Sequence, residues 1–242
     1  MTATPPASSF QAAPVRCPTN GVASSPTRRQ QLLDQNTDQT LASFGPAMIF
    51  VEYIERERSM PWEIFRKLGG QDWSGSDRIV ANLGRTMRLA PTPHYMCWWQ
   101  ISSIKRMDEW EDYFRSSEGR IYLSESPTSK ALHFQRCGLY DEIIGHGEVP
   151  SGLHLVEFFA ARTQSSGEIK QWFGERASDS GAGRLTYVIQ RLGLIAPDPG
   201  GIAIWTFSDY AGTEPFLRRP LPPGPVTVTQ AGLYRNFGED IP

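Results

Sequence analysis

The chain is 242 residues long, 39% hydrophobic and close to neutral, with a formal net charge of −2. It has no apolar stretch long enough to span a bilayer, no charged region followed by an apolar run that would mark a signal peptide, and no cluster of basic residues that would form a nucleic-acid footprint. The expectation is a soluble, cytoplasmic protein of one or two compact units that partners neither nucleic acid nor membrane.

Residues 1–45 are rich in Pro, Ser, Thr, Ala and Gln, carry no acidic residue before Asp34 and show no sustained periodicity, which reads as a flexible N-terminal arm. From residue 46 onward, β-branched and aromatic runs such as AMIFVEYI and YMCWWQIS predict strands at 47–55, 78–89, 94–102 and 130–140. Between the first two, Pro61 and the Gly69-Gly70 pair bracket a helix at 61–69. The spacing of Trp110, Tyr113 and Phe114 predicts another at 107–116. The connection Gly69 to Asp77, GGQDWSGSD, has the composition of a mobile loop, and its Trp73 could close over a cavity.

The same order then recurs. Strands are predicted near 152–161, 183–194, 200–208 and 225–236, with helices near 167–178 and 211–219. The local sequence recurs too: Arg85 to Pro93 reads RTMRLAPTP and is followed by Trp99, while Arg191 to Pro199 reads RLGLIAPDP and is followed by Trp205, at a constant offset (196 − 90 = 106; 205 − 99 = 106). Val51-Glu52-Tyr53 matches Val156-Glu157-Phe158 at 105, and Gly138-Leu139-Tyr140 matches Gly232-Leu233-Tyr234 at 94. A period this long exceeds that of solenoid repeats and indicates two units of one kind, 46–145 and 151–238.

The βαββαβ order of each unit is the split βαβ, ferredoxin-like motif. Two four-stranded sheets with helices on one face leave the opposite faces apolar, and the economical way to bury them is sheet against sheet within one chain. The expected fold class is therefore α+β, two tandem ferredoxin-like repeats packed as an intramolecular dimeric α/β barrel, monomeric as a pseudo-dimer or paired as a homodimer.

On this element order and the repeated strand-end pattern, the chain resembles the dimeric α/β-barrel superfamily in a tandem fused form. That superfamily includes the EthD and NIPSNAP-like proteins, the antibiotic-biosynthesis monooxygenases, isomerases, polyketide cyclases and the haem-binding chlorite-dismutase relatives. The fold hosts many chemistries, so the resemblance does not choose among them. In such relatives the small-molecule cavity lies between the sheet and its helices.

Differences between the two copies indicate where chemistry would lie. In the third strand Cys97, Trp99 and Ile101 alternate on one face and match Ala203, Trp205 and Phe207, an apolar set expected to form the sheet-to-sheet core. The other face holds His94, Met96, Trp98 and Gln100 against Gly200, Ile202, Ile204 and Thr206. The resemblance would place His94, Trp98 and Gln100 beside a ligand. His133 (Thr227), Tyr53 (Phe158) and Asn82 (Val188) are further polar gains of the first copy, and Tyr140 stands at its last strand. Glu52 and Glu157 are acids within apolar strands; Arg85 and Arg191 are available as partners, or the carboxyl has a raised pKa and works as a general base.

The function expected from these residues is that of a cofactor-independent enzyme acting on a hydrophobic, aromatic or polyketide-like metabolite by proton transfer next to a carbonyl. This would be an isomerase, cyclase, lyase or cofactor-free monooxygenase. His94, Glu52 and His133 would be acid and base; Tyr53, Trp73, Asn82, Arg85, Trp98, Gln100 and Tyr140 would contact substrate, with Asn82 or Arg85 stabilising an oxyanion. The histidines lack metal-type spacing and no dinucleotide or phosphate loop is present, so no metal or nucleotide is expected. A haem enzyme of the same superfamily and a non-catalytic binder of hydrophobic metabolites are the alternatives, since one well-placed His suffices for a proximal haem ligand. The three cysteines, Cys17, Cys97 and Cys137, are odd in number and read as reduced thiols.

Overall fold

A computed structural model describes residues 48–56, 78–86, 93–125, 132–145, 147–178, 181, 183–193 and 199–236, the side chains of 56, 122 and 132–136 excepted. All belong to the compact unit Gly45–Pro242. The arm 1–45, the helix expected at 61–69 and the loop bearing Trp73 lie outside the described residues.

Eight strands form: β1 (Met48–Arg56), β2 (Arg78–Arg85), β3 (Tyr95–Ile101), β4 (Leu132–Ile144), β5 (Leu153–Ala161), β6 (Arg184–Arg191), β7 (Gly201–Phe207) and β8 (Val226–Asn236). The helices among the described residues are α1 (Lys105–Arg115), α2 (Ser117–Glu125), α3 (Ser166–Ser178) and α4 (Tyr210–Leu217). Helix α2 was not expected from the sequence, and β4 runs four residues beyond the predicted 140.

The strands close into one antiparallel barrel in the order β1-β3-β2-β8-β5-β7-β6-β4. Within 48–144 the neighbours run β4-β1-β3-β2, and within 153–236 they run β8-β5-β7-β6. Hydrogen-bonded seams join these stretches. One pairs Leu83–Arg85 with Asn236–Tyr234, and the other pairs Tyr140–Ile144 with Arg191–Val188. The chain is thus α+β, with an eight-stranded antiparallel sheet and few helices.

Two cores result. The barrel interior is filled by Ile49, Val51 and Tyr53 of β1, Met96 and Trp98 of β3, Tyr140, Val156, Phe158, Tyr187, Ile202, Ile204 and Tyr234. Outside the second half, Leu155, Phe159, Val188, Ala203, Trp205 and Phe207 pack against Ile169, Trp172 and Phe173 of α3 and Phe216 of α4. Ile169, Trp172 and Phe173 recur at helical spacing and so share the buried face of α3. Asp209 caps α4, its side chain accepting from the Gly212 N–H at 2.8 Å.

This corrects the expected facing of the third strands. Ala203, Trp205 and Phe207 meet the helices, whereas Met96, Trp98, Ile202 and Ile204 fill the barrel. Both faces of these strands are apolar, so alternation separates the two sets of residues without saying which set turns inward.

Candidate functional site

Strand register assembles a row of polar residues on the outward face of the first half. Glu52 lies opposite Cys97 on one side and Cys137 on the other, and Cys97 lies opposite Asn82. The row Cys137–Glu52–Cys97–Asn82 crosses β4, β1, β3 and β2. The corresponding row of the second half is Ala231–Glu157–Ala203–Val188, apolar except for its acid. Beside Asn82, the Tyr95 hydroxyl donates to its Oδ1.

The two acids have different surroundings. Glu157 accepts from the Trp205 indole N–H at 2.8 Å and is clasped by both terminal nitrogens of Arg176, at 2.5 and 2.7 Å. Glu52 accepts from the Trp99 indole N–H at 2.7 Å and has no basic partner among the described residues. Arg85 and Arg191 do not pair with these acids. Arg85 stands three residues beyond Asn82 on β2, about 10 Å along the strand, and faces Tyr234 in register. Helix α3, not the strand, supplies Glu157 with its cation.

Burial without a cation pushes the Glu52 carboxyl up to about 7, the Trp99 hydrogen bond opposing the rise. Its thiol neighbours rise as well. Cys97 is held well above its ordinary value and Cys137 is pushed up to about 12, in each case by burial first and the Glu52 charge second. Both therefore stay protonated and serve as walls of the row, not as nucleophiles.

A second polar group sits at one end of the barrel. The backbone N–H of His94 donates to Glu55 Oε1 at 3.2 Å, and its Nδ1 abuts Glu55 Oε2. Partial burial lowers the imidazole below its ordinary pKa. His133 lies opposite Glu55 on β4; its side chain is outside the described residues. Glu55 was missed in the sequence, although its place three residues after Glu52 puts it on the opposite face of β1. The expected acid–base group is accordingly divided. Glu52 faces outward, while Glu55 and His94 stand on inward-facing rows at the barrel end.

The residues expected around a sheet–helix cavity are instead largely interior. Tyr53 and Tyr140 share a 2.6 Å hydroxyl–hydroxyl bond, and Trp98 is fully buried against Tyr187 with its indole nitrogen unpartnered. Gln100 is half-buried, opposite Ile49 and Arg78. A groove of about 580 Å³ opens elsewhere, lined by Glu142, Ile144, Lys170, Arg184 and Leu185, and includes none of the expected site residues.

No known family profile and no curated protein sequence matches the chain. Solved structures do. A chlorite dismutase variant from Candidatus Nitrospira defluvii in complex with cyanide aligns over 88% of this chain and 96% of its own, with a TM-score of 0.50 and 8% identity. A candidate chlorite dismutase aligns over 81% and 97%, also at a TM-score of 0.50, with 10% identity. At this identity the likeness is one of fold. No helix among the described residues is long and apolar enough to cross a membrane.

Haem is the group this fold likeness brings into question, and the described side chains do not fit it. Both ring nitrogens of His154 are engaged, by Thr206 Oγ1 and Asn236 Oδ1. His94 is tied to Glu55 and is one-third exposed, with a relative side-chain exposure of 34%. The sheet–helix layer of the second half is filled by Trp172, Phe173, Trp205 and Phe216. No group of three or more potential metal ligands occurs among the described residues.

Proposed function

We propose that the chain is a small-molecule enzyme whose reaction is a proton transfer at Glu52, on the outward face of the first-half sheet. The observation that carries this reading is the contrast between two matched acids. Arg176 neutralises Glu157, whereas among the described residues Glu52 meets only an indole N–H, and burial pushes its carboxyl up to about 7. A carboxyl poised there can give and take a proton at similar cost. The Asn82–Tyr95 pair one strand further would orient a substrate oxygen. The reaction belongs to the isomerase, cyclase or lyase class, on a hydrophobic metabolite that stacks on Trp99. The constant sequence offset and the matching strand order of 48–144 and 153–236 support a duplicated ferredoxin-like unit, fused as in EthD-like relatives, with one working site.

The test is a pH titration of the labelled Glu carboxyls by 13C NMR, with Glu52→Gln to assign the resonance. A Glu52 midpoint near 7 is expected. A midpoint close to 4.5, the ordinary value, would sink the proposal.

The second reading is a haem enzyme, supported by the fold shared with the chlorite dismutases. Since the described side chains do not fit the group, its ligand would come from outside them. Haem titration of the full chain that gives the Soret band of a ligated haem would support it; a spectrum of free haem would remove it.

A further inference from the structure

One of the two seams that close the barrel, between β4 and β6, runs out before β6 does. β4 ends at Ile144, opposite Val188, whereas β6 starts four residues earlier, at Arg184. A register shift between Glu142 and Ile144 breaks the alternation of β4, so that the consecutive Ile143 and Ile144 both pack against the helix-side core. Helix α3 touches both strands, and the groove of about 580 Å³ opens where these three elements meet.

Its lining has two chemistries. Ile143, Ile144, Leu185 and Ala177 are apolar, while Lys170 of α3 and Arg184 of β6 bring two positive charges against the one negative charge of Glu142. The Glu142 carboxyl is folded onto the backbone of Gly145, where a Cβ would overlap it. Both cations are exposed, and among the described residues neither is in an ion pair. On α3, Lys170 and Ala177 both line the groove, and Gly174 lies on the same face between them. A side chain at Gly174 would meet nothing within 4 Å, so the glycine keeps the space over this face open.

We infer that this groove binds a small organic carboxylate, its anionic end drawn by Arg184 and Lys170 and its apolar body lying along Ile143, Ile144 and Leu185. The volume suits one small molecule. A guanidinium offers paired N–H donors that match both oxygens of a carboxylate, and an ammonium adds a point charge. An organic cation in the same groove would face two like charges, and a neutral ligand would gain apolar contact alone. The site is independent of the reading of Glu52, which lies on the outward face of the first-half sheet.

The experiment is an NMR titration of the full chain, with 13C-labelled isoleucine and leucine methyls, against octanoate, 1-octanol and octylammonium. Octanoate should shift the methyls of Ile143, Ile144 and Leu185, with 1-octanol and octylammonium each binding about tenfold or more weakly. The double variant Lys170→Gln/Arg184→Gln should bring octanoate down to the level of 1-octanol. Gly174→Leu, which replaces a mid-helix glycine by a better helix former, should fill the open space and weaken octanoate without loss of fold. Octylammonium or 1-octanol binding as tightly as octanoate would overturn the anion class, as would a double variant that binds octanoate unchanged. Octanoate that leaves these methyls unshifted, or that binds Gly174→Leu unchanged, would overturn the site itself. So would shifts that track protein concentration without ligand, because a second copy of the chain would then be the occupant.

Discussion

The indole N–H of Trp99 meets the carboxylate of Glu52 at 2.7 Å, outside the barrel and across the β1–β3 pair. Among the described residues this one neutral donor is the partner of the acid, and no cation stands beside it.

That imbalance predicts a pH-dependent stability. The folded carboxyl titrates near 7 against 4.5 for the ordinary group, so its contribution is fully present below about 4.5 and is lost as pH rises through 7. Glu52→Gln should therefore leave stability nearly unchanged at pH 4 and raise it at pH 8.5 by on the order of 2–3 kcal/mol. Urea denaturation at the two pH values checks this; equal effects at both would contradict the burial of the acid.

In the second half the same kind of acid is held by a nearly buried pair, Arg176 and Glu157 being 11% and 4% exposed at the side chain. Arg176→Met should cost about 3–5 kcal/mol, because it strands a buried charge. Adding Glu157→Gln should recover most of the loss, since the amide oxygen still accepts from Trp205. A double-mutant cycle in urea reads the coupling directly.

The Tyr53–Tyr140 hydroxyl bond lies inside the barrel, and Phe158 stands at the position of the second half that matches Tyr53. Tyr53→Phe should lower stability by about 1 kcal/mol, the net worth of a buried hydrogen bond. A fall in Tm without a change in denaturant m-value would mark the loss as local; a loss above about 3 kcal/mol would point to wider repacking.

His94 should be neutral at pH 7 and carry its proton on Nδ1, facing Glu55. Long-range 15N–1H correlation spectra distinguish this tautomer, and Glu55→Gln should weaken the preference. Because burial lowers the folded pKa, protonation below the ordinary 6.5 should cost stability, and His94→Gln should remove that acid-side loss. If His94 transfers the reaction's proton, His94→Ala lowers turnover by about two to four orders of magnitude.

Much of the strand plan can be read from local sequence. The runs around Val51, Tyr95–Ile101, Leu153–Ala161 and Gly201–Phe207 alternate or are continuously apolar between turn residues, and strands form there. The acids at 52 and 157 and the indoles at 99 and 205 stand out because they keep their offset, and in each half the structure joins acid to indole. Helix α2 escaped notice because its face is weakly amphipathic, and so did Glu55, whose role depends on the strand beside it.

The sequence by itself determined where the strands lie and which side chains share a face, because side-chain alternation is a property of each strand alone. Which face turns inward was decided only by closure of the barrel through the β2–β8 and β4–β6 seams, which pair residues far apart in the chain. The same closure put Trp98, Tyr53 and Tyr140 inside and left the Glu52 row outside. It was also tertiary packing that brought Arg176 from α3 onto Glu157, a contact between helix and sheet that no strand pattern encodes. Two acids equivalent in sequence thereby became one ion pair and one carboxyl poised near neutrality.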